Sequence, residues 1–472
     1  MSGPSTNPGT DMLAFAHALK LSELPADVVD RARDCLRDAL GCGIFGSGQV
    51  WSRILSDEML AEGSGGHSTV IGRQQSLSAP AAALCNGTAI HGFELDDLIA
   101  ESITHPAACV IPAAIAAAEA VDASGERLLE AIVAGYEVMH RAGLALGVEP
   151  ARKGFHTTSL VAPIACAVAA AKVMELSRDQ LISAVGLACS ASSGIKSFAA
   201  GHGGGMVKRL HLGRSAEAGV RMAQLASRGF LGPPLALESR FGLLEVFGGA
   251  GAQPEKMSRE LGNAWAMRDV WFKVYPICGW IQSVVQLAVA LRGGQKLTAD
   301  AVEMLEVGVS HYAAQNNGEP APVDTMGAQY SIPYSAAVAL LGDPRDPAWF
   351  QPDAVNDQAT RKLAAKVKIV IDPGVEAVYP AKFGARVKLT LANGSMSERT
   401  VLECHGTPSD PCGSQELVDK FHLLAGSRLP PDAASDLARR VDEVATLPVR
   451  ALTKPLRIGS AALRSDRKAA GS

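Results

Sequence analysis

Between about residues 12 and 262 the chain is a succession of alanine-rich apolar segments at helical spacing, separated by short Gly- and Pro-bearing joints. This pattern leaves few folds open. One stretch shows the logic. Pro25-Ala26-Asp27 puts a proline at a helix start, and Val28, Ala32, Cys35, Leu36 and Leu40 then recur on one face. Gly41 and Gly43 loosen its end. Residues 80–91, 106–121, 126–146, 159–174, 178–190 and 210–227 repeat the theme. Small side chains allow close helix approach, so a compact bundle of long helices is expected.

The second half changes character. Residues 282–291 and 331–341 read as helices and 302–311 as a strand. Residues 366–371 alternate lysine with apolar residues, and 386–391 alternate polar with apolar ones. Asn393-Gly394 supplies a hairpin turn before a strand at 395–402. This predicts an α+β unit with an antiparallel sheet. After Pro408 and Pro411, residues 414–425 and 432–444 are again amphipathic helices. The expected organisation is a disordered N-terminal tip (1–11), a helical domain (12–268), an α+β lid domain (269–403), C-terminal helices returning to the helical domain (404–455) and a tail (456–472).

A hydrophobic content of 47% across 472 residues is ample for a core, and the net charge of −4 gives no reason to expect nucleic acid or an anionic membrane. No apolar run approaches the roughly 20 residues of a membrane span. The first eleven residues lack the basic-then-apolar pattern of a secretory signal. The nine cysteines include no CxxC and no paired Cys/His spacing. Neither a zinc site nor a disulfide framework is expected, and a reducing cytoplasm fits.

Four segments carry chemistry. In His91-Gly92-Phe93-Glu94-Leu95-Asp96-Asp97, followed by His105-Pro106, the proline suits a helix's first turn and places His105 at a helix N-terminus. There the dipole disfavours an imidazolium and welcomes an anion. The plain alternative is a capping loop whose aspartates bond backbone amides. His156, before Thr157-Thr158-Ser159, occupies a similar position. Gly201 to Gly205 precedes Lys208 without the Gly-Lys-Ser/Thr ending of a P-loop, and no GxSxG accompanies the His202-Gly203-Gly204-Gly205 run. Lys273 lies between Trp271, Phe272 and Tyr275, where partial desolvation would demand an anionic partner. Gathered together, these groups would bind a small polyanion beside proton-transfer groups.

In order along the chain, the strings HGFELDD with HPAACVIPAA, GFHTTS, GGGMVKRLHLGRSAEAG, FKVYPICG and AQYSIPYSAAVALL resemble the MmgE/PrpD family over residues 12 to about 450. The resemblance implies a mainly α fold, a helical domain plus an α+β lid, with the active site in the cleft between them. It implies homodimers without metal or organic cofactor, and pocket positions at Glu94, Leu98, His105, His156, Lys208, Lys273 and Tyr334. Glu94 replaces an Asp of many members, Leu98 a Thr, and Cys278 a His of some decarboxylases. The expected activity is that of a cofactor-independent lyase on a small di- or tricarboxylate. His105, His156 and Tyr334 would move protons, and Glu94, Asp96, Asp97, Lys208 and Lys273 would bind substrate. The alternatives are an epimerase of a dicarboxylate such as iminodisuccinate and an inactive carboxylate-binding protein.

Overall fold

The computed structural model describes residues 7–63, 65–199 and 205–458. Helices α1 (Pro8–Ala18), α2 (Ala26–Ser47) and α3 (Val50–Glu62) lead to a two-stranded ribbon, β1 (Ser68–Thr69) and β2 (Ser76–Leu77). Then come α4 (Ala79–Ile90), α5 (Ala107–Ala120), α6 (Gly125–Leu146), the single turn α7 (Glu149–Arg152), α8 (Thr157–Val173), α9 (Arg178–Cys189) and α10 (Val207–Ser227). Every residue of α8 is buried. A helix apolar all round belongs inside a bundle, and α8 accordingly packs against α5, α6, α9 and α10. Glycine sets how closely the neighbouring helices approach. A Cβ on Gly213 of α10 would stand 2.3 Å from the Leu84 carbonyl of α4, and one on Gly219 would stand 2.3 Å from Cys166 Cβ of α8.

Residues 8–11 do not belong to the disordered tip expected there. They form the first turn of α1, with Pro8 at the start and Asp11 favourably placed near the positive end of the helix. Met12, Leu13 and Ala16 bury the helix and hold that polar turn in place. Residues 1–6 lie outside the described residues, as does the tail from 459.

The second domain contains α11 (Gln282–Arg292), β3 (Val302–Val309), α12 (His311–Asn316), α13 (Thr325–Gln329), α14 (Ile332–Leu341), α15 (Gln358–Ala364), β4 (Val367–Ile371), α16 (Pro373–Val378), β5 (Ala385–Leu391) and β6 (Met396–Val401). The strand order is β4-β3-β5-β6. The sheet is mixed rather than wholly antiparallel, because β3 and β4 run parallel. The helical crossover through α12 to α15 allows this, since parallel neighbours need a long connection. The hairpin between β5 and β6 turns at Asn393-Gly394, with Gly394 at φ +81°. Ala385, Val387 and Leu389 alternate into the core, where α11 covers β5.

The C-terminal helices α17 (Ser414–Ala425), α18 (Pro431–Asp442) and α19 (Val449–Thr453) return to the first domain. Helix α17 packs on α2, where Gly41 lies against Phe421, and α19 packs on α5. All nine cysteines are free thiols. Among the described residues no helix is long and apolar enough to cross a membrane.

Candidate active site

The chain leaves α4 through a tight turn, His91–Phe93, and Glu94 follows at φ +57°. A glutamate rarely adopts this left-handed conformation, and surrounding structure must enforce it. Three elements do so. Arg209 of α10 donates from Nε to the Gly92 carbonyl at 2.7 Å, and its guanidinium lies 4.0 Å from the Trp51 ring centroid. Gln329 of the lid donates to the Phe93 carbonyl at 2.8 Å. Lys420 of α17 donates to the Leu95 carbonyl at 2.7 Å. Further on, Leu98 and Trp271 exchange backbone hydrogen bonds of 3.1 and 2.7 Å, joining this loop to the segment that carries Lys273.

Glu94 is thereby aimed at two ammonium groups. Lys208, in the first turn of α10, donates to Glu94 Oε1, and Lys273 donates to Oε2 at 3.1 Å. All three side chains are buried. Burial alone would raise the Glu94 pKa, but Lys208 and Lys273 outweigh it and hold the carboxyl well below its usual range. Burial opposes charge on Lys273 too, yet Glu94 and Asp96 raise its pKa. Lys208 shifts the other way, because burial and the neighbouring Lys273 outweigh its share of Glu94. One carboxylate thus serves two cations, and Lys273 is the better compensated.

The imidazoles form a connected group. His91 and His105 ring centroids are 5.1 Å apart, His91 and His156 6.1 Å, and His156 and His211 5.3 Å. His105 Nδ1 lies 2.8 Å from the Asp97 carbonyl oxygen. A carbonyl only accepts, so Nδ1 carries the hydrogen and Nε2 keeps the basic lone pair. Asp96 Oδ2 accepts from His91 Nδ1 at 2.7 Å and stands 3.5 Å from His105 Nδ1. His156 and His211 share a hydrogen between their Nδ1 atoms at 3.1 Å. Burial pushes every one of these imidazoles toward the neutral form, His105 down to about 3 and His211 to about 4, with the lysines adding to the effect.

A cavity of about 390 Å³ opens onto this group between the two domains. Glu94, His105, His156 and Lys208 line it, with Leu98, Cys278 and Tyr330. Of the two histidines and two lysines expected to converge, His105, His156 and Lys208 line this cavity and Lys273 does not, and three of the expected placements differ. Lys273 and Asp96 stand behind the cavity wall, and Lys273 reaches it only through Glu94. Asp97 caps α5, accepting from the Ala107 amide at 2.9 Å and the Tyr136 hydroxyl at 2.7 Å. Burial overrides those bonds and pushes its pKa up to about 8. The plain capping-loop alternative thus describes Asp97.

Tyr334 is the third correction. Its ring packs on Phe350 inside the lid and its hydroxyl donates to the Trp349 and Ala354 carbonyls at 2.7 and 3.1 Å. Ser331 caps α14 and places Tyr334 in the helix's first turn, on its inward face. Tyr330, just before the cap, lines the cavity, with its ring centroid 5.4 Å from Lys208 Nζ. His202, Gly203 and Gly204 of the glycine run lie outside the described residues.

Residues 10–255 match the MmgE/PrpD N-terminal domain, and residues 275–444 match the MmgE/PrpD C-terminal domain. The chain belongs to the MmgE/PrpD family. It is 28% identical over 450 residues to a cis-aconitate decarboxylase-like protein of Aspergillus oryzae, covering 90% of this chain and 92% of that one. It is 27% identical over 440 residues to the cis-aconitate decarboxylase of Aspergillus terreus, covering 89% of each. It is 25% identical over 436 residues to the 2-methylcitrate dehydratase of Cupriavidus necator, covering 85% and 87%. Decarboxylases and dehydratases of this kind are lyases.

Two further histidines that were not singled out as site residues stand behind the cavity. His91 is fully buried between His105 and His156, and its Nε2 has no partner among the described residues. His211 backs His156 from α10. The signal for His211 was its position three residues after Lys208, one helical turn along the same face. Two groups place donor atoms near enough to hold a metal ion, His91/Asp96/His105 and His405/Cys412/Glu416. In the first, both Nδ1 atoms already bond protein oxygens. In the second, His405 meets Asp410 at 3.1 Å and Glu416 at 2.9 Å.

Proposed function

We propose that this MmgE/PrpD protein is a lyase that works without an organic cofactor on a small di- or tricarboxylate, moving a proton at carbon next to a carboxylate. The observation that carries this reading is that two neutral imidazoles, His105 and His156, face one cavity with the Lys208–Glu94 pair. An incoming carboxylate meets Lys208 directly and Lys273 behind it. Their charge stabilises the negative charge that builds beside the carboxylate in the transition state.

His105 is suited to take the proton. Its Nε2 has no hydrogen-bond partner among the described residues, and the imidazolium it becomes lies beside Asp96. His156, backed by His211 rather than a carboxylate, delivers one from its imidazolium form, which the negative charge of a bound polycarboxylate favours over the neutral form of the empty site. In a dehydration, His105 removes the carbon-bound proton, the carbon–carbon double bond forms, and hydroxide leaves as water with a proton from His156. In a decarboxylation, the carbon–carbon bond breaks, carbon dioxide leaves, and a histidine protonates the carbon. The names of the relatives support both outcomes. Epimerisation of a dicarboxylate is the second reading, favoured by two imidazoles that reach one cavity from the N-terminal ends of different helices. We further propose a homodimer, supported by the exposed apolar side chains Phe230, Leu231, Phe241 and Val246.

The test is incubation with cis-aconitate, citrate, 2-methylcitrate and iminodisuccinate in D₂O, following product and carbon-bound deuterium. Wild type should turn over or exchange at least one of them, and His156→Ala should lower that rate by about 10²–10⁴-fold. A wild-type protein that neither reacts nor exchanges across the panel leaves only carboxylate binding.

A further inference from the structure

The cavity has a second character that proton transfer does not use. Away from the charged end its wall is apolar and comes largely from the lid, with Leu98, Trp280, Tyr312, Tyr379 and Phe383 all facing the space. The rings form one continuous surface. Centroids of Trp280 and Tyr312 are 4.9 Å apart, Tyr312 and Tyr379 stack at 5.7 Å, and Trp280 and Phe383 are 5.8 Å apart. Leu98 belongs to the same cluster as Phe383.

Few polar atoms interrupt this surface. Lys196 Nζ is engaged by the Tyr312 hydroxyl at 2.8 Å, and Arg152 stands at the mouth with its side chain 74% exposed. Trp280 Nε1 is a buried donor with no partner among the described residues. A volume of about 390 Å³ falls in the range of about 300–1,000 Å³ that encloses drug-sized ligands. A six-carbon tricarboxylate is smaller than that, and it has no surface suited to covering aromatic rings. Left against such rings, water would occupy an apolar wall at a cost that an apolar ligand group removes.

We infer that the substrate is a di- or tricarboxylate bearing an alkyl chain longer than the single methyl of 2-methylcitrate. Its carboxylates sit at the Lys208–Glu94 end and its hydrocarbon group lies on the Leu98/Trp280/Tyr379/Phe383 wall. The inference rests on the polycarboxylate reading of the site and extends it to a substrate class. The wall sets chain-length preference.

Binding and turnover test it separately. In calorimetry with succinate, 2-butylsuccinate and 2-octylsuccinate, Kd is expected to fall by about fourfold per buried methylene until the wall is covered. Phe383→Asp should flatten that gradient while succinate still binds. An unchanged or rising Kd along the wild-type series overturns the inference, as does failure of every member to bind. In parallel, turnover is measured with citrate, 2-methylcitrate and longer 2-alkylcitrates, and with cis-aconitate and its alkyl derivatives. A binding gradient without turnover anywhere sinks the lyase reading and leaves the hydrocarbon site standing. Turnover that is fastest for the unsubstituted acids, with a flat binding series, does the reverse.

Discussion

One carboxylate, Glu94, answers two buried ammonium groups, and its backbone is held in a conformation that glutamate seldom adopts. Removing a partner from a buried ion pair is costly because the remaining charge stays desolvated. Glu94→Gln is therefore expected to destabilise the protein by about 3–5 kcal/mol, read as a lower midpoint in urea unfolding. Glu94→Asp keeps the charge and should cost less. Equal stability of Glu94→Gln and wild type would mean that the lysines find other compensation. At this scale the sequence was readable in part. His105, His156, Lys208 and Glu94 stood out because polar residues interrupt apolar helices at element boundaries. His91 and His211 did not, since a histidine inside a helix or its final turn has no such marker. Tyr330 and Tyr334 differ by four residues, and only the position of the Ser331 cap decides which one meets the cavity.

At the scale of elements, α4 and α10 determine where the site forms. The loop carrying Glu94 leaves α4, while Lys208, Arg209 and His211 ride on the first turns of α10. Gly87 and Gly213 meet at their crossing, and a Cβ on Gly213 would stand 2.3 Å from both the Leu84 carbonyl and Thr88 Oγ1. Backbone cannot yield as a flexible side chain does, so the helices must separate. Gly213→Ala is expected to cost about 1–3 kcal/mol through overpacking and to lower kcat/KM by moving Lys208 off Glu94. A thermal midpoint and activity equal to wild type would show that the contact can relax. The helices α2, α4 to α6 and α8 to α10 were legible to within a few residues because their apolar periodicity is long, whereas α1, α3 and the short helices of the second domain were not singled out. The parallel pairing of β3 with β4 was not, because alternation specifies which face of a strand is buried and says nothing of its neighbour's direction.

For the whole molecule, the buried imidazoles couple folding to pH. An unfolded histidine takes up its proton near pH 6.5, whereas in the fold burial lowers His105 to about 3 and His140 to about 4. The unfolded chain thus binds more protons between those values, and stability falls as pH falls. The slope is about 1.4 kcal/mol per pH unit for each such histidine. The depressed Glu94 adds a further loss below its ordinary value of 4.5. Urea unfolding is expected to show a marked drop in stability from pH 7 to pH 5. His140→Gln, which alters a group bonded to Ser102 Oγ at 3.1 Å rather than one lining the cavity, should reduce the slope by about one proton. Asp97, which burial raises to about 8, opposes the histidines by about one proton over this range, so flat stability would mean that no more than one histidine is held neutral in the folded state.

By itself the sequence determined the helical body, the α+β character of the second half, the amphipathic C-terminal helices and most of the charged groups near the cavity. Each is written in local periodicity, in turn chemistry or in a contiguous string. Only the tertiary structure decided that Glu94 pairs with the lysines, that Asp97 bonds the first amide of α5, that Tyr330 rather than Tyr334 lines the cavity, and that an aromatic wall faces the charged end. Those outcomes depend on which distant segments meet and how closely their backbones approach. Side-chain packing fixes both, and no local pattern encodes them.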